Sequence, residues 1–374
     1  MATASTRPTL LCCAFPFGYG PAVKLLLIAR RLRAAGVHTT FLGHGISHEM
    51  AANCTGAFDE VIHAKPTDPQ VTQHIASAAG LFSMMDRDFA SLAQAQGKPV
   101  YVADSLTWMR EQLPAPFTAA KRYWVQNFAP NGTHTQRNAN IVSVGPIVEP
   151  RQPTPAHQRR GLVINLGGCE TPAGPGAENF AYADFVMRGT LQSGATETFA
   201  GHITLLAGHH AIARLRVAFP DCGIALHTAT HDEALDHLGT AACVLTSPGL
   251  TTTLECFQFA MPTYFLPPQN YSQWCILQHL QESGIASGSF TWSQIKPHFP
   301  ALDTLPESDR TALVRQAITE VSANQHAREM FAASLQQRLA TDPTALAIRQ
   351  REFFESLGPN GVDTIAGELI RIFS

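Results

Sequence analysis

The chain has 374 residues, enough for two domains at about 150 residues each. Hydrophobic residues make up 45% and charged residues only 15%, which excludes disorder as the main state, since disorder needs few apolar groups and high net charge. Lys plus Arg is 26 and Asp plus Glu is 29, so the net charge is −3 and the basic excess of a nucleic-acid binder is missing. The 16 histidines make that charge sensitive to mild acid. Eight cysteines occur without a C-x-x-C pair, which argues against a structural zinc site. Most lie in apolar runs such as Leu11-Cys12-Cys13-Ala14, as buried free thiols of a reducing compartment do. No cleavage-site pattern follows the first apolar run, and no run approaches 18 apolar residues. The expected setting is cytoplasmic, with no membrane partner.

The first half alternates strand and helix patterns. Thr9 to Phe15 is nearly all apolar, as in a parallel strand covered on both faces. Phe17-Gly18-Tyr19-Gly20 breaks it, and Pro21 opens a helix on which Leu25, Ile28, Ala29 and Leu32 share one face. Gly36 ends that helix. Strands are predicted at Val37 to Leu42 and Phe58 to Ile62, then one long helical stretch from Asp68 to Gln96. Lys98 to Ala103 is the next strand and ends at Asp104. Tyr123 to Phe128 and Ile141 to Val144 follow.

Glu149 to His157 carries three prolines among polar neighbours and reads as a linker. The second half repeats the alternation, with strands at Gly161 to Leu166, His202 to Leu206, Gly223 to His227, Ala242 to Thr246 and Thr263 to Leu266. Beyond Asp309 the pattern is helical. The fold class implied is α/β, with two doubly wound Rossmann-like domains facing each other and a helical C-terminus. The expected division is 1–148, a linker at 149–160, 161–345, and helices over 346–374 that pack back on the N-terminal domain.

Three elements of the second half carry chemistry. The run Leu245-Thr246-Ser247-Pro248-Gly249-Leu250-Thr251-Thr252-Thr253-Leu254-Glu255 is a strand, a tight turn and a helix start. Exposed N–H groups and the positive end of that helix suit a phosphate, and an ordinary capped turn is the plainer alternative. Glu255, one turn further in, is placed to accept from a ribose hydroxyl. A second strand ends at Gln269, Asn270 and Gln273, which suit sugar hydroxyls at the carboxyl edge of the sheet or simply open a helix. The third is Asn165-Leu166-Gly167-Gly168-Cys169, where paired glycines let backbone approach a diphosphate. It is not G-x-G-x-x-G, which disfavours a nicotinamide cofactor.

In this order and spacing the three elements resemble the donor-binding domain of GT-B glycosyltransferases. The Val144-Gly145-Pro146 run before the linker fits the same resemblance. It implies a hexosyltransferase using a UDP-sugar as co-substrate, with no other cofactor. It assigns the donor to Gly167, Gly168, Pro248, Gly249, Thr251, Thr252, Glu255, Gln269 and Gln273, and Ser247 and Asn270 within the same runs are further donor candidates. Ser247-Pro248-Gly249 stands where many relatives have His-x-Gly, so a histidine contact to phosphate is lost or supplied elsewhere.

The acceptor is expected on the first domain, against Phe17, Gly18 and Tyr19, whose aromatic rings suit a flat molecule. That turn lacks the histidine base of many relatives. Asp104 is then the leading base, with a helix cap as its plainer alternative, and His44 and Glu49 come after it. The turn is similar to that of cytosylglucuronic acid synthases of nucleoside antibiotic biosynthesis. This implies transfer of glucuronate from UDP-glucuronic acid to cytosine. Asp86-Arg87-Asp88 falls inside the long helical stretch, so no acidic metal motif sits on a strand end and catalysis is expected to need no metal. A nucleotide-sugar epimerase or hydrolase, or a non-catalytic sugar-nucleotide-binding protein, would share these features. A homodimer is compatible with all of them.

Overall fold

The computed structural model describes residues 8–130, 139–167, 169, 177–295, 302, 305 and 307–374. The chain divides into two compact units, Met1–Pro150 with Leu357–Ser374, and Arg151–Ser356.

In the first unit, β1 (Thr9–Ala14), β2 (His38–Gly43), β3 (Glu60–His63), β4 (Gly80–Met84), β5 (Val100–Asp104), β6 (Arg122–Gln126) and β7 (Ile141–Val144) form one sheet. Its order is β3-β2-β1-β4-β5-β6-β7, and all pairings are parallel. Successive side chains of a strand point to opposite faces. Leu10, Cys12 and Ala14 accordingly join the core beneath the helix Gly20–Ala34, while Leu11 and Cys13 join the core that holds Ile75 and Phe89. Both faces are covered, which is why β1 reads as an unbroken apolar run.

One expectation is corrected. The stretch from Asp68 to Gln96 is not a single helix. It is a helix Gln70–Ser77, strand β4, and a helix Arg87–Ala95. All five residues of β4 are buried, and it pairs with β1 and β5.

The C-terminal helix Gly361–Phe373 buries Val362, Ile365, Ala366, Leu369 and Phe373 in the first unit's core. The segment before it crosses so close to Gly145 that a Cβ there would overlap the Pro359 carbonyl oxygen. Glycine at 145 is a packing requirement.

The second unit holds β8 (Leu162–Asn165), β9 (Ile203–Leu206), β10 (Ala225–His227), β11 (Cys243–Thr246) and β12 (Thr263–Phe265). They form a parallel sheet in the order β10-β9-β8-β11-β12. Edge strand β12 is closed by a side chain. Gln350, fully buried on the helix Thr344–Ser356, accepts from the Thr263 N–H at 3.0 Å and donates to the Thr263 carbonyl at 2.8 Å. That covers polar backbone an open edge would leave exposed. Among the described residues no helix is long and apolar enough to cross a membrane.

Candidate functional site

In each sheet the strand order reverses once, between β1 and β4 in the first and between β8 and β11 in the second. Open α/β sheets bind ligands at the carboxyl ends of the strands flanking such a reversal.

The second unit brings most of its predicted residues to that point. Asn165 ends β8 and organises the turn after it. Its side-chain oxygen accepts from the Gly167 N–H at 2.9 Å, and its amide donates to Thr252 Oγ1 at 3.4 Å. Its carbonyl accepts from the Ser247 N–H at 3.0 Å and from Thr246 Oγ1 at 3.1 Å. Gly167 has φ +67, a left-handed conformation that favours glycine. Gly168 lies outside the described residues.

Ser247 and Pro248 are buried after β11. Gly249 is the N-cap of the helix Leu250–Gln258 and supplies no side-chain cap. A Cβ built on Gly249 meets nothing within 4 Å, so the space over the helix start is open. The positive end of the helix dipole faces it. The loop after β12 closes the cluster. Gln269 donates to the Leu166 carbonyl at 2.8 Å and to Ser247 Oγ at 2.6 Å, and its own N–H donates to Gln273 Oε1 at 2.8 Å. Asn270 caps the helix Tyr271–Glu282 by accepting from the Gln273 N–H at 3.0 Å. The amides of this turn thus knit the site together while half-buried.

Thr251 and Glu255 are buried on one side of the helix, with Thr252 half-buried beside them. Glu255 already has a partner. His231 Nε2 lies 2.6 Å from its Oε1, with the two side chains 12% and 4% exposed. Tyr182 braces the same loops. Its hydroxyl donates to the Pro267 carbonyl at 2.8 Å and sits 3.2 Å from Ser247 Oγ. Burial pushes its phenol well above the ordinary range.

In the first unit, the turn after β1 holds Phe17, Gly18 and Tyr19, all half-buried, beside an exposed Phe15. The Phe15 and Phe17 rings lie 6.2 Å apart, and Gly18 takes φ +61. Tyr19 is the N-cap of the helix Gly20–Ala34. The turn after β2 lies alongside, since a Cβ on Gly45 would sit 3.7 Å from Pro16 Cβ. His44, in that turn, is half-buried, and no hydrogen bond to its ring occurs among the described residues. Burial, with help from Lys65 and His63, holds its pKa below 6.5. Glu49 is exposed on the helix Gly45–Asn53.

Asp104 ends β5 fully buried. It accepts from the Leu106 N–H at 2.7 Å and the Tyr123 hydroxyl at 3.0 Å, and Arg110 Nε lies 3.3 Å away. These contacts enclose the carboxylate and leave no path to it for an acceptor in this conformation. It ties the β5 and β6 strands to the loop that follows.

Two residues of these edges, His231 and Tyr182, were not anticipated, and two more, Asn165 and Asp86, were named only within their motifs and given no role there. Asp86 follows β4 at the first sheet's reversal, not within a helix, so the Asp86-Arg87-Asp88 motif does stand near a strand end. Its carboxylate caps the helix Arg87–Ala95 by accepting from the Asp88 and Phe89 N–H groups at 3.0 and 3.2 Å. Burial raises its pKa to about 6. Among the described residues no group of three or more His, Cys, Asp or Glu could hold a metal ion.

No protein-family model and no curated protein matches the chain. Solved structures match it in fold. MurG of Acinetobacter baumannii is 13% identical, with 98% of this chain and 99% of that chain covered at a TM-score of 0.55. Os79 of O. sativa in complex with UDP is 14% identical, with 97% and 100% covered at 0.54. A UDP-glucosyltransferase from Polygonum tinctorium capable of glucosylating indoxyl is 13% identical, with 99% of each chain covered at 0.54. Identity this low speaks to fold alone. The fold is that of GT-B glycosyltransferases, two Rossmann-like parallel-sheet domains with a helical C-terminus, as the sequence implied.

Proposed function

We propose that the chain is a nucleotide-sugar-dependent glycosyltransferase, with a uridine diphosphate sugar as donor and a small molecule as acceptor. The observation that carries this is the convergence of Gly167, Ser247 to Gly249 and Gln269 at the reversal between β8 and β11, beside a helix start that is open to an anion. Structures of the same fold support it, one of them in complex with UDP and one a UDP-glucosyltransferase.

Glycosyl transfer runs through an oxocarbenium-like state. The departing diphosphate gains negative charge, which the helix beginning at Leu250 stabilises through its dipole and N–H groups. That term takes the part of a metal, so the reaction is proposed to need neither metal nor other cofactor. The acceptor is assigned to Phe17, Gly18 and Tyr19. His44 is assigned as the base, ahead of Asp104 and Glu49. Its depressed pKa keeps the imidazole neutral near pH 7, with a lone pair to take a proton. Asp104 is enclosed, and Glu49 sits a helical turn further from the strand end.

The finer reading is transfer of glucuronate from UDP-glucuronic acid to cytosine, in the cytoplasm. Its warrant is the likeness of the Pro16 to Pro21 turn to cytosylglucuronic acid synthases, together with aromatic rings that suit a flat heterocycle. The test incubates the purified chain with a panel of UDP-sugars and acceptors, cytosine included, and reads products by mass spectrometry. An acceptor–sugar adduct is the expected result. Donor hydrolysis or epimerisation without acceptor would replace the transferase reading with an epimerase or hydrolase. Donor binding without turnover would make the chain a binding protein, and no binding of any UDP-sugar would refute the proposal.

A further inference from the structure

Strand β6 ends in Gln126, which is fully buried at the carboxyl edge of the first sheet. Its Oε1 accepts from the Ile147 N–H at 3.2 Å, on the β7 side, which fixes the orientation of the amide. Its Nε2 has no hydrogen-bond partner among the described residues. Trp124, two residues earlier and so on the same strand face, is also fully buried, and its indole Nε1 lacks a partner in the same way. A buried donor with nothing to accept from it is costly and calls for an explanation. Asp104 is buried as deeply, but its oxygens are engaged by Leu106, Tyr123 and Arg110. The Gln126 oxygen has a structural task, and its N–H groups have none.

The same face carries the turn after β1. Tyr19 packs against the core cluster that holds Trp124, together with Met85 after β4, Leu106 after β5, and Ile147. In the sheet order β4 and β5 stand between β1 and β6, so three strand spacings, about 14 Å, separate the two ends of this row. Met85 lies within it at φ +65, held by its N–H to the Ala103 carbonyl at 3.1 Å and by the Ser105 hydroxyl, which donates to its Sδ at 3.4 Å. A side chain in that left-handed conformation is strained, and such strain gathers at ligand sites. With Oε1 engaged on the β7 side, the planar amide of Gln126 turns Nε2 away from β7.

Resting on the proposed transferase reading, we infer that Gln126 is a specificity-determining residue for the acceptor, donating from Nε2 to a ring carbonyl of a flat heterocycle that lies along this row from Tyr19. The donors set the class of ligand. An amide and an indole N–H are uncharged and suit a neutral carbonyl oxygen, whereas a carboxylate or phosphate is matched by a cation. The Met85 thioether is a soft, apolar surface for the face of the ring. Tyr19 and Leu106, both half-buried, are the side chains that yield to admit it. Gln126, already oriented by Ile147, stays in place.

The test measures cytosine and 2-thiocytosine affinities by calorimetry on the full chain, with thermal melts to follow folding. The two compounds differ only in the carbonyl oxygen, which sulfur replaces as a weaker acceptor. The wild type is expected to prefer cytosine by about fivefold, the scale of one neutral hydrogen bond. Gln126→Met keeps the length of the side chain without the N–H. It is expected to weaken cytosine about fivefold and 2-thiocytosine less than twofold, with UDP affinity unchanged, so the preference disappears. Cytosine affinity unchanged in a folded Gln126→Met assigns the amide to core packing or an internal water only, and overturns the inference. Equal loss of both compounds overturns it as well. Equal wild-type affinity for the two, or no cytosine binding, overturns it even where the variant fails to fold. The proposed function fails separately, in a wild type that binds no UDP-sugar.

Discussion

Gly249→Asp separates the contribution of the second unit's helix start to folding from its contribution to binding. The N-cap position has φ −80 and ψ 128, ordinary extended backbone, and nothing lies within 4 Å of a Cβ placed there. Asp is also a better N-cap than Gly by a few tenths of a kcal/mol, because its oxygen accepts from an N–H of the first turn. The variant should therefore fold, with Tm unchanged or raised by about 1–2 °C. Binding should move the other way. The new carboxylate stands where the diphosphate is proposed to sit. At a separation of about 5 Å and an effective dielectric near 40, between the values for surface pairs and bulk water, one unit pair repels by about 1.7 kcal/mol. Two phosphate charges, the second further off, bring the loss to about 2–3 kcal/mol, roughly 30- to 150-fold in Kd. Calorimetry of UDP, with thermal melts alongside, reads both effects on one sample. A variant with wild-type UDP affinity and a normal melt would show that no anion sits at this helix start, and the donor assignment would fall with it.

Three further outcomes are expected. His44→Gln should lower kcat by about 10²–10⁴-fold with UDP affinity unchanged. In the wild type, kcat/KM should rise with pH through a pKa below 6.5 and then level off, since only the neutral imidazole accepts a proton and burial depresses its pKa; a rate that falls as pH rises through that range would eliminate His44 as base. Asp104→Asn should cost about 2 kcal/mol in denaturant unfolding, less than the ~3–5 of a fully buried pair because the Arg110 side chain is 30% exposed. Its kcat per folded molecule should stay within about threefold, and a drop of about a hundredfold or more at full stability would return Asp104 to the role of base. Turnover should survive EDTA, and loss of activity that magnesium restores would refute the metal-free mechanism.

Burial on both faces leaves an unbroken apolar signature that makes a strand legible in sequence. β1 shows it over Leu10 to Ala14, because its alternate residues enter two different cores. β4 is buried just as fully, yet its five residues sit between Val71 and Ile75 on one side and Phe89, Ala90 and Ala93 on the other. A run that short fits a helical period as well as a strand. Missing it also misplaced Asp86, which belongs to the turn after a strand.

The candidate site divides along the same line. Strand ends mark the carboxyl edge, and Gly167, Ser247 to Gly249 and Gln269 were grouped from that placement together with the resemblance to GT-B donor-binding domains. The His231–Glu255 pair could not be grouped so, because it joins residues 24 apart on two helices. Its one local trace is the Thr230-x-x-Glu233 capping box, which places His231 in a first helical turn. Asp104 carried a signal that position on the strand end obscured. By the period of two, Val100, Val102 and Asp104 share a face, and the Val100 and Val102 side chains lie in the core with Tyr123. A carboxylate on that face meets the Tyr123 hydroxyl and Arg110, not solvent. Glycines divide similarly: Gly145 is required because the Pro359 carbonyl crosses it, whereas Gly249 has open space over it. Sequence records the same residue at both. Only the packing around each separates a constraint on folding from room for a ligand.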